Sequence, residues 1–226
     1  MKNKKLLIFG DSAFAEIAYE YFQKDSNYQV VAFTLNKEYL TKDSLFDLPV
    51  VAFENIRELY PPSKYDMFIA LVYNKLNRIR ISKYNEAKIM GYKLATYISS
   101  RAFVWDNVSV GDNTFIFEDN TIQPFVKVGS NIVIWSGNHI GHHSEIKDHN
   151  FISSHVVISG FVEIQESCFL GVNSTLQNNI SIGKDSLIGA GALITKNLPS
   201  GSFVFGDRSK PADFSTYTKF KINELE

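Results

Sequence analysis

Every sixth residue from Val104 to Ile194 is valine, isoleucine or leucine: Val104, Val110, Ile116, Ile122, Val128, Ile134, Ile140, Ile146, Ile152, Ile158, Ile164, Leu170, Leu176, Ile182, Ile188 and Ile194. A period of six fits neither the 3.6 of a helix nor the alternation of a half-buried sheet. It fits a coil of short strands, three to a turn, whose aliphatic side chains point to the axis. Residues 18 apart then stack directly above one another. Small residues two places earlier, among them Thr114, Ser144, Cys168, Ser174, Ser186 and Ala192, suit the corner regions. Glycines at 111, 129, 141, 171, 183 and 189 are expected to let the chain turn. No insertion breaks the phase, so no long loop is expected to leave the coil.

Residues 1–100 follow another rule. Lys5–Phe9 is a short apolar run ending at Gly10, as in a buried parallel strand. Ser12 stands where a helix over 13–23 would be capped. Strands are expected at 29–33, 48–53, 67–72 and 94–98. A helix is expected over 76–90, with Leu76, Ile79, Tyr84, Ala87 and Met90 on its apolar face. Alternating strands and helices imply a parallel sheet with covered faces. Two domains follow: a Rossmann-like α/β unit over 1–100, and an all-β parallel β-helix with a C-terminal tail over 101–226.

Composition narrows the function classes. The chain has 226 residues and a formal net charge of −1, without the basic excess of a nucleic-acid binder. Cys168 is the single cysteine, which excludes an intrachain disulfide framework and a cysteine-rich zinc site. The first apolar run is shorter than the roughly 7–15 residues of a signal peptide, and no run reaches the about 18 of a membrane span. A soluble, cytoplasmic enzyme or binding module is expected.

All five histidines lie between positions 139 and 155: His139, His142, His143, His149 and His155. Outward turn positions account for polar residues like these. A neutral imidazole also suits a general base that deprotonates an amine or hydroxyl attacking a thioester. The oxyanion formed then needs a donor such as a backbone N–H. His142 plus 18 is Gly160, which is either a plain turn glycine or an unobstructed N–H one coil away.

The hexapeptide period, the Ile140-Gly-His142 motif with Gly160, and the 199–206 exit Pro-Ser-Gly-Ser-Phe-Val-Phe-Gly resemble the hexapeptide-repeat acyltransferases. With the N-terminal unit, the chain resembles the NeuD/PglD-type sugar acyltransferases. That resemblance implies a left-handed β-helix, a homotrimer and acetyl-CoA as donor, with no metal. It implies acetylation of the amino group of a nucleotide-linked deoxy sugar, with His142 as base and the Gly160 N–H steadying the oxyanion. The acidic residue that follows the base in the family is His143 here; either Glu145 would take its orienting role or His143 would itself bind substrate. Trp135 replaces an asparagine close to the sugar and is a candidate stacking surface. The exit continues as Asp207-Arg208-Ser209 in place of Asn-Pro-Ala.

Further positions follow from the resemblance. The Gly10-Asp11-Ser12 loop would bind the nucleotide end of the sugar, although G-x-G-x-x-G is absent; turn and cap duties are the other reading. Asn36, at the end of the second strand, would contact ribose or base. Gly160, Val172 and Ala190 would hold the pantetheine through their backbones, and Lys196 would meet donor phosphates. The same site would serve a sugar O-acetyltransferase equally well. Two further classes stay open: a zinc enzyme of the γ-carbonic-anhydrase type, using histidines across a trimer interface, and a non-catalytic nucleotide-sugar-binding scaffold.

Overall fold

The structure, a computed structural model, describes residues 2–207 and 209–223. Arg208, in the altered exit, lies outside the described residues.

The period of six becomes sixteen two-residue strands, from Phe103–Val104 to Leu193–Ile194, each ending on the aliphatic residue. Each strand pairs in parallel with the one 18 residues away, as His139↔Val157 and Ile140↔Ile158 do. Three parallel sheets result, fitting the left-handed parallel β-helix. Strand His139–Ile140 lies on the first face, Glu145–Ile146 on the second and Phe151–Ile152 on the third. From Ile116 to Ile194 the aliphatic ladder is buried in one continuous core, each side chain contributing roughly 1.5–3 kcal/mol. Val104 and Val110, at the end of the stack, are only partly buried.

The corners depend on a different residue from the one expected. Every sixth residue from Asn113 to Gly191 adopts a left-handed conformation, with φ between 50 and 76°. Asn, Asp, His and Ser fill most of these places, in keeping with the tolerance of Asn, Asp and His for that region. The glycines at 111, 129, 141, 171, 183 and 189 lie outside this series. They serve close approach between coils: a Cβ on Gly141 would come within 2.5 Å of the Gly160 nitrogen.

The N-terminal unit contains β1 (Lys4–Phe9), α1 (Ala13–Lys24), β2 (Tyr28–Leu35), β3 (Ser44–Leu45), β4 (Leu48–Ala52), α2 (Ile56–Leu59), β5 (Asp66–Ile69) and α3 (Arg78–Ile89). Its sheet runs β3-β4-β2-β1-β5, parallel except for the β3–β4 hairpin. The Rossmann-like expectation holds for the parallel sheet and its flanking helices. Between β2 and β4, however, the chain makes only a short 3-10 turn, Lys37–Tyr39, and the β3 edge.

Two elements differ from expectation. The strand expected over 94–98 is divided. Leu94 bridges to Met67 of the α/β sheet, whereas Tyr97–Ile98 already pairs with Phe115–Ile116 of the coil. Helix α3 starts at Arg78 because Lys75, Leu76 and Asn77 are all left-handed. Ile79 is exposed, and the buried face carries Arg80, Tyr84 and Ala87.

The α/β unit covers the third face of the coil. Phe115, Val133 and Phe151, outward on that face, are buried against Phe14, Phe22 and Phe68. Arg80 fastens the seam. Its guanidinium donates to the carbonyls of Leu71 and Val72 on one side and of Asn131, His149 and Asn150 on the other. Burial lowers its pKa to about 9, which leaves it cationic at neutral pH.

Candidate active site

Within one coil the five histidines separate. His139 is outward on the first face. His142 and His143 turn the corner between the first and second faces. His149 occupies the corner between the second and third faces, and His155 the corner between the third and first. Their clustering in sequence therefore reflects one face and three corners of one coil, which point in different directions. Among the described residues, no group of three or more His, Cys, Asp or Glu side chains is placed to hold a metal ion.

His142 and Gly160 do come together. A Cβ on Gly160 would lie 2.9 Å from Cε1 and 3.0 Å from Nε2 of the His142 ring. Gln123 Oε1 holds the His142 backbone N–H at 2.9 Å. The Gly160 N–H has no acceptor among the described residues. A second pair contrasts with it: the His155 ring lies closer still over Gly137, its Cε1 and Nδ1 2.6 Å from where a Cβ would be, but the Gly137 N–H is committed to the Glu118 carbonyl. Only the first pair joins an imidazole to a free main-chain donor.

His143 packs beside this pair. Its Nδ1 is 3.1 Å from His142 Nδ1. Its ring is stacked between Phe125 at 4.6 Å and Phe161 at 4.9 Å, 18 residues to either side. Gln123, Phe125 and Phe161 were not among the sequence candidates. The signal for the phenylalanines was present in the 18-residue register.

His149 is structural. Ile69 N–H donates to Asn113 Oδ1, Asn113 to Asn131 Oδ1, and Asn131 Nδ2 reaches His149 Nδ1 at 3.0 Å. Burial lowers the His149 pKa, in keeping with a neutral ring that accepts at Nδ1. Cys168 is core, its thiol pushed up to about 11 by burial.

The other candidates are spread over the molecule. Gly10 closes β1 against β5: its φ is 123°, and a Cβ would fall 2.8 Å from the Ala70 carbonyl oxygen. Asp11 pairs with Lys42 at 3.2 Å. Ser12 is the N-cap of α1 but makes no side-chain cap bond, leaving its hydroxyl at the helix start. Asn36 donates to Glu54 Oε1 at 2.9 Å and holds that carboxyl below its usual range.

Trp135 stacks flat on Phe117 at 4.5 Å. It borders a cavity of about 220 Å3 lined also by Val72, Tyr73, Phe151, Ser153 and Val172. Val172 and Ala190 share the corner between the third and first faces. Gly160 and Lys196 share the corner that bears His142. Within one chain, Trp135 and the Val172 corner are thus separated from His142 by the first face.

Comparison with curated protein sequences finds no match. The family model described as the hexapeptide repeat of succinyl-transferase matches residues 162–196. Among solved structures, the acetyltransferase domain of PglB from Neisseria gonorrhoeae superposes with a TM-score of 0.82 at 23% identity, over 93% of this chain and 100% of that one. PerB from Caulobacter crescentus, solved with CoA and GDP-perosamine, gives 0.80 at 21%, over 89% and 94%. WeeI from Acinetobacter baumannii gives 0.69 at 20%, over 90% and 97%. The chain therefore shares, across both its α/β unit and its hexapeptide coil, the fold of these acetyltransferase structures.

Proposed function

We propose that the protein transfers an acetyl group from acetyl-CoA to the amino group of a nucleotide-linked sugar. The observation that carries this reading is the His142 imidazole seated over Gly160, whose N–H is free. His142 Nε2 takes the proton from the amine as its nitrogen attacks the thioester carbonyl. The Gly160 N–H donates to the oxyanion. The C–S bond then breaks, and the departing sulfur takes the proton from His142 to give free CoA and the amide. No acyl-enzyme is required, and the buried Cys168 offers no nucleophile. PerB, of similar fold, was solved with CoA and GDP-perosamine, which supports both substrate classes.

The acceptor's nucleotide would lie at the C-terminal edge of the sheet, by Gly10, Asp11, Ser12 and Asn36, with Trp135 beside the sugar. Val72 and Tyr73, just past β5 at that edge, border the same cavity as Trp135 and Val172, whereas His142 is at the next corner. We therefore assign the complete site to the groove between two copies in a cytoplasmic homotrimer. One copy supplies His142, His143, Gly160 and Lys196; its neighbour supplies Val172, Ala190 and the nucleotide loop. No helix among the described residues is long and apolar enough to cross a membrane.

The test is release of CoA thiol from acetyl-CoA with a panel of amino- and hydroxy-sugar nucleotides. Turnover with an amino sugar, lost in a folded His142→Ala protein, is expected. Turnover confined to hydroxy sugars would make the enzyme an O-acetyltransferase. Full activity without His142 would overturn the reading.

A further inference from the structure

Phe125 and Phe161 are conformational anomalies. In the left-handed corner series the other residues are Asn, Asp, Gly, His and Ser, and these are the two bulky apolar members, at φ 65 and 58°. A bulky side chain at positive φ is strained, and such strain persists where something else is gained. Neither ring gains burial: Phe125 is 55% exposed and Phe161 52%. What both gain is a common neighbour, and Phe161 also meets the His142 ring edge-on at 5.1 Å. They lie 18 residues before and after His143, and their rings close on the two sides of its imidazole, at interplanar angles of 28 and 17°. His143 in turn reaches His142 nitrogen to nitrogen at 3.1 Å, with the rings nearly perpendicular at 87°.

Two Nδ1 atoms at that distance share one proton. If His142 accepted it, its own proton would sit on Nε2, the atom over Gly160, and no lone pair would face the substrate. If His142 donates, Nε2 is free to take a proton.

We propose that His143 is a positioning residue, clamped by Phe125 and Phe161, which accepts the His142 Nδ1–H and so fixes His142 in its basic tautomer. This rests on the acyl-transfer reading above. The family resemblance places a carboxylate after the base; a neutral imidazole does the orienting in this chain. It brings no negative charge to the corner, so the charge that His142 acquires in turnover must be stabilised otherwise. The shared proton spreads that charge onto His143, whose ring lies between two π faces that attract cations. The phenylalanine clamp therefore has two duties: it fixes the acceptor ring, and it stabilises the imidazolium pair.

The experiment combines ring-15N NMR of the full-length, histidine-labelled protein with kinetics of four variants. In the wild type, His142, assigned by its loss in His142→Gln, is expected to carry its proton on Nδ1. In His143→Ala it should revert to the mixture of a free imidazole, with kcat reduced roughly 10–100-fold and KM little changed. His143→Asp, which restores an acceptor, should recover most of that loss. Phe125→Asn and Phe161→Asn place a residue favoured at positive φ. They should fold with equal or higher Tm yet lose roughly tenfold in kcat, which a merely structural role would not produce. A wild-type His142 protonated on Nε2, or asparagine variants with undiminished kcat, would overturn the proposal. If the wild type acylates no sugar nucleotide, the functional reading fails, and the NMR result still judges the dyad by itself.

Discussion

The His142 ring rests on the α-carbon of Gly160 so closely that a single methyl group there would meet three of its atoms within 3.3 Å. The two residues are 18 apart in sequence and one coil apart in space. That contact makes position 160 a steric sensor of the His142 ring.

Gly160→Ala is expected to displace the imidazole while sparing the coil, because Gly160 is not among the positive-φ residues. An ångström of misplacement costs on the order of 10²-fold in rate. Steady-state kinetics beside thermal melting would test this; an alanine enzyme of normal kcat would show that the ring position is unimportant.

Gly10→Ala separates a packing role from a ligand role. Its Cβ would press on the Ala70 carbonyl oxygen at a φ that only glycine holds easily. A loss of about 1–3 kcal/mol is expected, visible in urea unfolding without any nucleotide present. Unchanged stability would return this glycine to a purely binding role.

Arg80→Met removes the cation that ties α3 and the 71–72 segment to the coil. Five carbonyl oxygens lose this donor, and of them Asn150 keeps the Val133 N–H, at a cost of about 3–5 kcal/mol. The midpoint of chemical denaturation measures it, and a shift below 1 kcal/mol would mean that water replaces the guanidinium freely.

The lowered pKa of His149 gives stability a pH dependence of known sign. Below the ordinary value of 6.5 the unfolded chain binds a proton that the native ring resists, so stability falls as pH falls through that value toward the native pKa. Above it the contribution is complete. His149→Asn keeps an acceptor for Asn131 and a residue tolerant of positive φ, and should flatten the profile as pH falls through 6.5. Parallel profiles for both proteins would assign the dependence elsewhere.

Much of the architecture was legible because a coil core is a local code. Ile140 and Ile158 stack since each is the sixth residue of its own repeat, whatever the rest of the chain does. The 142–160 pair was legible for the same reason, its spacing being the length of one turn. The α3 boundary was not. Leu76 reads as helical by pattern, but Asn77 donates to the Cys168 carbonyl of the coil, and this tertiary contact accompanies a left-handed run that no periodicity announces. Arg80 was hidden likewise, since an arginine among helical polar residues gives no sign that carbonyls from another domain surround it.

The amino-acid sequence by itself determined the repeat, its register, the pairing of an imidazole with a glycine one turn above and the presence of a separate α/β unit, because each depends on spacing along the chain. Only the tertiary structure decided which face of the coil that unit covers, that the histidines diverge to one face and three corners, and that two phenylalanines grip His143. Those outcomes depend on directions in space, and a side chain's direction at a corner is set by one left-handed residue and by whatever packs against it.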